Sequence, residues 1–342
     1  MTKLSLLDLS IITEGSSAAD AFANSLDLAR KAETWGYHRY WVAEHHNLPG
    51  IASAATAVVI GHLAGGTTTM RVGAGGIMLP NHSPLIIAEQ FGTLESLFPG
   101  RIDLGLGRAP GTDPSTARAL RRAAQGAEDE FPNDVMELQS YFSPAADDRR
   151  IRAVPGAGLN VPIWILGSSL YGASLAAAFG LPYAFASHFA PAALMPAIEL
   201  YRQRFTPSPA LSTPYVMLGF NVFAADSSAE ARYLKSSSQQ SILALRRGQS
   251  IPVPAPVEDF EASLGPVEHQ VLAEAHHCSA TGTQENVTQR LREFIAETQA
   301  DEVMISCQMF DHAARVRSFE ITAKAHAALT QAEPTTSTGA AP

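Results

Sequence analysis

Residues 39–46 read Arg39-Tyr40-Trp41-Val42-Ala43-Glu44-His45-His46, and this stretch decides how the chain is expected to fold. An apolar run rises out of a predicted strand and ends abruptly in one carboxylate and two imidazoles. Because an unpaired charge is costly to bury, three titratable side chains at the end of a buried strand indicate a site rather than a core. The run is the second of a series of predicted strands, and strand ends of this kind are where the chemistry of barrel enzymes sits.

Short β-like runs alternate with amphipathic helical stretches on both sides of this segment. The predicted strands are residues 4–8, 40–43, 70–75, 101–106, 162–166, 183–186, 215–224 and 303–306. The predicted helices cover residues 18–35, 53–63, 84–97, a stretch from about 115, then 172–179, 192–205, 228–247 and 313–329. Repeated β-then-α units imply a parallel sheet, and eight of them imply an α/β fold of the closed (β/α)8 TIM-barrel type.

Two long segments interrupt the alternation. Residues 107–160 are long for one crossover, and residues 248–282 are proline-rich before they run into a further predicted helix over 284–298. Insertions of this kind on a barrel are often lids or substrate walls, and a packing role is the alternative. Residues 1–329 are expected to form a single domain, followed by a disordered C-terminal tail of small and polar residues over 330–342.

Composition excludes several classes of partner. The formal net charge of −9 argues against nucleic acid or an anionic membrane as the main partner. No uncharged run reaches the roughly 18–20 residues of a membrane span, and the first residues do not resemble a signal peptide. Two cysteines cannot build a disulfide framework, so we expect a protein of the reducing cytoplasm.

The polar segment after the second predicted strand has two local interpretations besides ordinary loop polarity. A metal site is disfavoured, because adjacent histidines on a strand point to opposite faces and no His-x-x-x-His pair or cysteine cluster accompanies them. We therefore expect no metal and favour at least one imidazole facing the barrel mouth, where it hydrogen-bonds a ligand or moves a proton.

Glycines mark the ends of the third and fourth predicted strands. The segment 73–80 contains Gly75-Gly76, which either lets a flat group approach the backbone or simply forms a tight turn. The fourth strand ends in Gly107-Arg108, where the guanidinium could hold a phosphate through its fork of donors. This Gly-x-Gly is too short for a dinucleotide fingerprint.

The fifth predicted strand is followed by Gly167-Ser168-Ser169-Leu170-Tyr171-Gly172. Small hydroxyl residues that open a helix supply free N–H groups and a positive dipole end, which together favour an anion. A simple N-cap by one serine is the alternative. Together with Arg108 on the neighbouring unit, the segment could form a two-sided phosphate clamp.

Taken together, these pieces resemble the bacterial-luciferase-like family of flavin-dependent monooxygenases over nearly the whole chain, up to about residue 329. The order and spacing of the pieces carry the resemblance. They are Gly36-Tyr37 with Trp41–His46, Val72-Gly73 with Gly76–Pro80, Pro84 and Glu89-Gln90, Phe98–Arg101 with Gly105–Arg108, Gly167–Ser169 with Phe179–Pro182, and Thr281–Thr283 with Val287, Leu291 and Ala300–Glu302.

The resemblance implies a TIM-like barrel that binds reduced FMN at the carboxyl ends of its strands. It implies that His45 handles protons beside the reactive flavin face, that Glu44 orients it, and that His46 is support. It also implies a cis peptide bond at Gly75–Gly76. The cofactor-binding residues it implies are Gly75, Gly76, Gly107, Arg108, Ser168, Ser169, Tyr171 and Gly172, with phosphate at Arg108 and the two serines.

The chain departs from the luciferase alpha chain at two positions, which have a cysteine and an acidic residue where this chain has Gly107 and Ser168. The resemblance is therefore closest to the non-luminescent members. It implies oxygenation of a small organic substrate by O₂ through a C4a-peroxyflavin, with reduced flavin from a separate reductase, in a homodimer that meets through helices beside the second and third strands. Hydride transfer with a deazaflavin or FMN, flavin binding without turnover and, remotely, a metal-dependent hydrolase remain as alternatives.

Overall fold

The structure is a computed structural model that describes residues 2–109, 113–120, 130–144 and 150–331. Nine parallel strands are described in these ranges. They are β1 (Lys3–Asp8), β2 (Arg39–Val42), β3 (Arg71–Met78), β4 (Ile102–Gly107), β5 (Ile163–Gly167), β6 (Tyr183–Phe185), β7 (Val216–Ala224), β8 (Ser279–Gly282) and β9 (Glu302–Ser306). Each of β1 to β6 pairs with the next strand, β6 pairs with β7, β7 with β9, and β9 with β1. These eight strands close a parallel barrel, which confirms the predicted (β/α)8 TIM barrel.

Helices cover the outside of the barrel. In the described ranges they are α1 (Ala18–Thr34), α2 (Thr56–Gly65), α3 (Pro84–Leu97), α4 (Pro114–Leu120), α5 (Phe131–Phe142), α6 (Leu170–Phe179), α7 (Leu194–Arg204), α8 (Ser228–Arg246), α9 (Pro266–Ala275), α10 (Gln284–Thr298) and α11 (His312–Gln331). The first of them shows how sequence sets a helix start: Ser17 and Asp20 form a reciprocal capping box. The predicted tail over 330–342 lies outside the described residues from position 332 onward.

The second insertion, residues 248–282, contains an element that the sequence pattern did not predict. After α9, residues Ser279–Gly282 form β8, which pairs in parallel with Asn221–Ala224, the last part of β7. Because β7 has nine residues, its first part closes the barrel against β9 while its end carries β8 on the outside. The eighth predicted strand is therefore the ninth in chain order.

An ion-pair network fills the amino-terminal end of the barrel interior. The buried guanidinium of Arg39 donates to Asp103 Oδ2 at 2.7 Å and to Glu302 Oε1 at 3.0 Å, so that β2, β4 and β9 are joined through one side chain. Above it, Trp41 donates its indole N–H to Asp103, and its ring meets that of Trp164 edge to face at 5.2 Å. A small apolar core of the barrel interior starts at these two rings.

The cysteines and the helices bear on the expectations drawn from composition. Cys278 and Cys307 are both buried and free. Among the residues that the structure describes, no helix is both long and apolar enough to cross a bilayer.

Candidate functional site

The polar and glycine-rich segments singled out in the sequence meet at the carboxyl ends of the barrel strands. Glu44, His45 and His46 directly follow β2, and the Gly75–Gly76 pair lies near the end of β3. Met78 on β3 is in register with Gly107, the last residue of β4. Since parallel strands end at the same edge of the barrel, these three separate segments of the chain contribute to one mouth.

The carboxylate of Glu44 is the hub of this mouth, although only 1% of the residue is exposed. Its oxygens accept hydrogen bonds from His46 Nε2 at 2.7 Å, from His82 Nε2 at 2.9 Å and from the backbone N–H of Met78 at 2.9 Å. The side-chain amide of Asn81 adds a fourth at 3.2 Å. These contacts show Glu44 holding the imidazoles of His46 and His82. That Glu44 also orients His45 stays a prediction.

The protonation state of Glu44 follows from these contacts. Burial by itself would raise the pKa of this carboxyl group, but the hydrogen bond and charge of His82 oppose it. His46 and the Met78 amide act in the same direction, and the net result is a pKa below the usual value of 4.5. Glu44 is therefore an anion at neutral pH and holds two imidazoles in fixed orientations.

The peptide bond between Gly75 and Gly76 is cis, as the resemblance implied. Neither position has room for a side chain. A Cβ atom at Gly75 would lie 2.9 Å from the Trp41 ring, and one at Gly76 would lie 2.6 Å from the carbonyl oxygen of Gly105. Both positions therefore require glycine, and Gly75 lines a cavity of the barrel interior together with Trp41.

Arg108 and the start of α6 lie next to each other, as the sequence suggested for a two-sided clamp. The guanidinium carbon of Arg108 lies 4.1 Å from the centre of the Tyr171 ring, on the first turn of α6. Among the ion pairs of the described residues, none involves Arg108. Its donors are therefore available to an anion that approaches the same place.

The first turn of α6 also has free donors. Ser169 is the N-cap residue, yet its side chain makes no capping hydrogen bond, so the simple N-cap interpretation does not hold for this residue. Gly172 packs closely against Tyr183, where a Cβ atom would lie 3.4 Å from the ring. Ser168, which precedes the cap, is partly buried. Uncapped N–H groups at a helix start favour a negative charge.

Two histidines that the sequence reasoning missed belong to this mouth. His82, which bonds Glu44, follows the short turn after β3. His188 follows β6 and lines an apolar cavity of about 50 Å³ together with Trp41 and Gly75. A charge on His45 would lower the pKa of His188, so the two imidazoles are near each other and His45 is close to this cavity. Both missed residues stand just beyond a strand end, the same signal that identified Glu44.

The histidines and carboxylates of the described residues do not assemble a metal centre. No group of three or more metal-ligating side chains with suitable placement occurs among them. Glu44, His46 and His82 satisfy one another through hydrogen bonds instead.

Comparison with known proteins gives one family. A family model described as luciferase-like monooxygenase matches residues 3–302. A protein of Escherichia coli strain K12 named luciferase-like monooxygenase is 55% identical over 317 residues, which cover 93% of this chain and 95% of that protein. The N-acetyl-S-alkylcysteine monooxygenase of Bacillus subtilis strain 168 is 40% identical over 190 residues, 54% of this chain and 57% of that protein.

Solved structures with the same fold cover almost the whole chain. The structure of apo-MsnO8 superposes with a TM-score of 0.84 at 30% identity, covering 96% of this chain and 99% of that one. The oxygenating constituent of 3,6-diketocamphane monooxygenase from Pseudomonas putida, in complex with FMN, gives 0.70 at 18% identity over 94% and 97% of the two chains. An F420-dependent secondary alcohol dehydrogenase gives 0.68 at 16% identity over 95% and 98%. On the family match and the high identity of its relatives, this chain belongs to the luciferase-like monooxygenase family.

Proposed function

We propose that this protein is a flavin-dependent monooxygenase that uses reduced FMN and O₂ to oxygenate a small organic substrate. One observation carries the proposal: a phosphate-sized clamp and a bare glycine backbone face the same barrel mouth. Arg108 lies against Tyr171 at the uncapped start of α6, and Gly75–Gly76 and Gly107 line the neighbouring strand ends.

The residues present fit FMN chemically. A flavin phosphate requires donors without competing carboxylates, which Arg108 and the first turn of α6 supply. A flat isoalloxazine ring requires a wall without side chains. Gly75, Gly76 and Gly107 supply such backbone at the ends of β3 and β4, and at position 107 a Cβ atom would meet the Met78 sulfur at 2.8 Å, so the position admits no side chain of its own. The nearby cavity is lined mainly by apolar side chains, which suits the ring face and an organic substrate.

In this proposal the polar residues of the mouth have separate roles in proton transfer and positioning. His45, which is partly buried beside the cavity, gives or takes the proton that the reaction moves. Glu44 fixes His46 and His82 and places a negative charge behind them. The apolar walls exclude water from the reacting atoms. When bound, reduced FMN would supply the electrons that activate O₂.

The cofactor assignment is tested by ligand titration followed by fluorescence. We expect FMN to bind more tightly than riboflavin, which has no phosphate. Arg108→Ala should weaken FMN by roughly 10- to 100-fold, because charge-assisted bonds to a phosphate are lost, and should leave riboflavin unchanged. The exposed Arg118 on α4 provides the matched control, Arg118→Ala. Equal losses for both ligands would place the phosphate elsewhere.

Catalysis is tested by stopped-flow absorbance of the protein mixed with reduced FMN and air. Accelerated reoxidation, together with oxygen incorporation from ¹⁸O₂ into members of a panel of aldehydes, ketones and sulfur compounds, is the expected result. If no compound is oxygenated and reduced FMN is reoxidised no faster than when it is free, the proposal is wrong.

Hydride transfer with a deazaflavin is the second candidate, and the F420-dependent dehydrogenase of the same fold supports it. Both cofactors need a phosphate clamp and a flat ring site. A parallel titration with F420 discriminates between them, since tighter binding of F420 than of FMN would favour hydride transfer without O₂. Binding of FMN with no turnover of either kind would indicate a flavin-binding protein.

We further propose a homodimer and a separate flavin reductase. Val58 on α2 and Ile86 and Leu97 on α3 are apolar and at least half exposed, on the two helices beside β2 and β3. A second copy of this chain would cover them. The Gly105-Leu106-Gly107 segment of β4 is too short for a nicotinamide-dinucleotide fingerprint. This supports a separate protein as the source of reduced flavin.

A further inference from the structure

His188 is held in place by its own backbone and by its neighbour. The side-chain amide of Asn221 on β7 donates to the carbonyl oxygen of His188 at 2.5 Å. The hydroxyl of Ser187 donates to the carbonyl oxygen of Gly219, also on β7, at 2.7 Å. Two hydrogen bonds therefore fix the backbone of the segment after β6 against the next strand.

A glycine on β7 makes the space for this ring. A Cβ atom at Gly219 would lie only 2.1 Å from Nδ1 of His188, and 2.9 Å from its Cγ. Any side chain at position 219 would thus occupy the volume that the imidazole now fills. The ring lies inside the barrel mouth because residue 219 has no side chain.

One ring nitrogen of His188, Nδ1, is buried and has no hydrogen-bond partner among the described residues. A buried N–H without an acceptor is rare in proteins, so the single proton of the neutral ring belongs on Nε2. Burial, and to a smaller extent the charge of His45, lower the pKa of His188 to about 4, so the ring is neutral at neutral pH.

The cavity around this ring is otherwise apolar. Among the described residues that line it, none has a charged side chain, and the large ones are Leu7, Trp41, Leu166, Met217 and Met304, with Phe185 at the end of β6. One neutral N–H donor in an apolar enclosure selects an uncharged occupant that carries one acceptor atom.

We propose that His188 binds the substrate, with Nε2–H donating a hydrogen bond to an acceptor atom, such as a carbonyl oxygen, of a small uncharged molecule. This deepens the proposed monooxygenase function and rests on it for the identity of the reaction. The hydrogen bond would fix which end of the substrate faces the flavin and would discriminate against pure hydrocarbons of the same shape.

The test compares butanone with 2-methyl-1-butene, which replaces the carbonyl oxygen by a methylene group. Binding is measured by ligand-observed NMR titration, both with oxidised FMN and without it. We expect the wild-type protein to prefer the ketone by roughly fivefold, the effect of one hydrogen bond. His188→Phe should remove the preference, His188→Gln should retain it through its amide N–H, and the exposed surface variant His269→Phe should leave it unchanged.

Two further measurements decide the role of His188 even if His188→Phe does not fold. Gly219→Ala should displace the ring and abolish the preference without altering His188 itself. Two-dimensional ¹H–¹⁵N spectra of the imidazoles should show a neutral His188 with its proton on Nε2, and butanone should shift that signal.

A preference that survives His188→Phe, or that the wild-type protein lacks, overturns the proposal. A loss of FMN affinity beyond about twofold in His188→Phe would also overturn it, because the ring would then contact the cofactor. If FMN fails to bind the wild-type protein, the proposed function falls, while the titrations without FMN still decide the role of His188.

Discussion

Glu44 combines a negative charge with nearly complete burial, and this should appear in the stability of the protein. Glu44→Gln removes the charge that His46 and His82 share, so we expect the free energy of unfolding at pH 7 to fall by about 1–3 kcal/mol. Urea denaturation measures the loss. The exposed variant Glu258→Gln should change stability little.

The lowered pKa of Glu44 predicts how the stability of the folded protein changes with pH. Because its pKa in the folded state lies below that in the unfolded chain, Glu44 contributes stability fully above pH 4.5. That contribution disappears as the pH falls through the lower folded pKa. Denaturation midpoints of wild type should therefore drop more steeply below pH 5 than those of Glu44→Gln, and parallel curves would contradict the ionised state of Glu44.

His45 is the residue to which proton transfer is assigned. His45→Ala should abolish oxygenation while changing FMN affinity by no more than a few-fold, because the phosphate and ring contacts lie on other segments. Turnover assays and FMN titration separate the two effects. His62→Ala, an exposed histidine on α2, is the control, and unchanged turnover in His45→Ala would move the role to another group.

The sequence indicated parts of the site where several polar or glycine residues follow a predicted strand, and neighbouring strand–helix units linked Arg108 to the start of α6. Glu44-His45-His46 is visible as a polar block after an apolar run. His82 and His188 are single histidines in ordinary loop sequence, and only the closure of the barrel brings them to the same mouth. The hydrogen bond from His82 to Glu44 joins residues 38 positions apart, which no local sequence pattern indicates.

At the scale of elements, the buried guanidinium of Arg39 connects three strands. Arg39→Met would leave the carboxylates of Asp103 and Glu302 buried with their common partner removed, so we expect a loss of about 3–5 kcal/mol in unfolding free energy. The surface pair offers a matched comparison, since Arg317→Met, which breaks contacts to Asp226 and Glu320, should cost ~0–1 kcal/mol. Similar losses in both variants would contradict this account.

The elements themselves were predictable to different degrees. The eight barrel strands have apolar runs and helices after them, and the structure confirms each. β8 was missed because Ser279-Ala280-Thr281-Gly282 is short and ends in glycine, and only two of its four residues are buried. Its pairing partner, the end of β7, is far away in sequence, so local pattern has little to indicate a strand there.

For the whole molecule, the exposed apolar residues of α2 and α3 predict self-association. Val58→Glu combined with Leu97→Glu should convert the expected dimer to a monomer, because each change places a charge in the contact. Sedimentation velocity measures the change. Val267→Glu on α9, which is as exposed as Val58, should leave the assembly intact. A wild-type protein that sediments as a monomer would contradict the homodimer.

Two tryptophans inside the barrel give the molecule an internal optical reporter. The chain has three tryptophans, and two of them, Trp41 and Trp164, meet edge to face beneath the mouth, whereas Trp35 lies at the C-terminal end of α1. Oxidised flavin absorbs where indole emits. Loading of the mouth should therefore quench most of the intrinsic emission by energy transfer, so that cofactor occupancy can be followed in unlabelled protein.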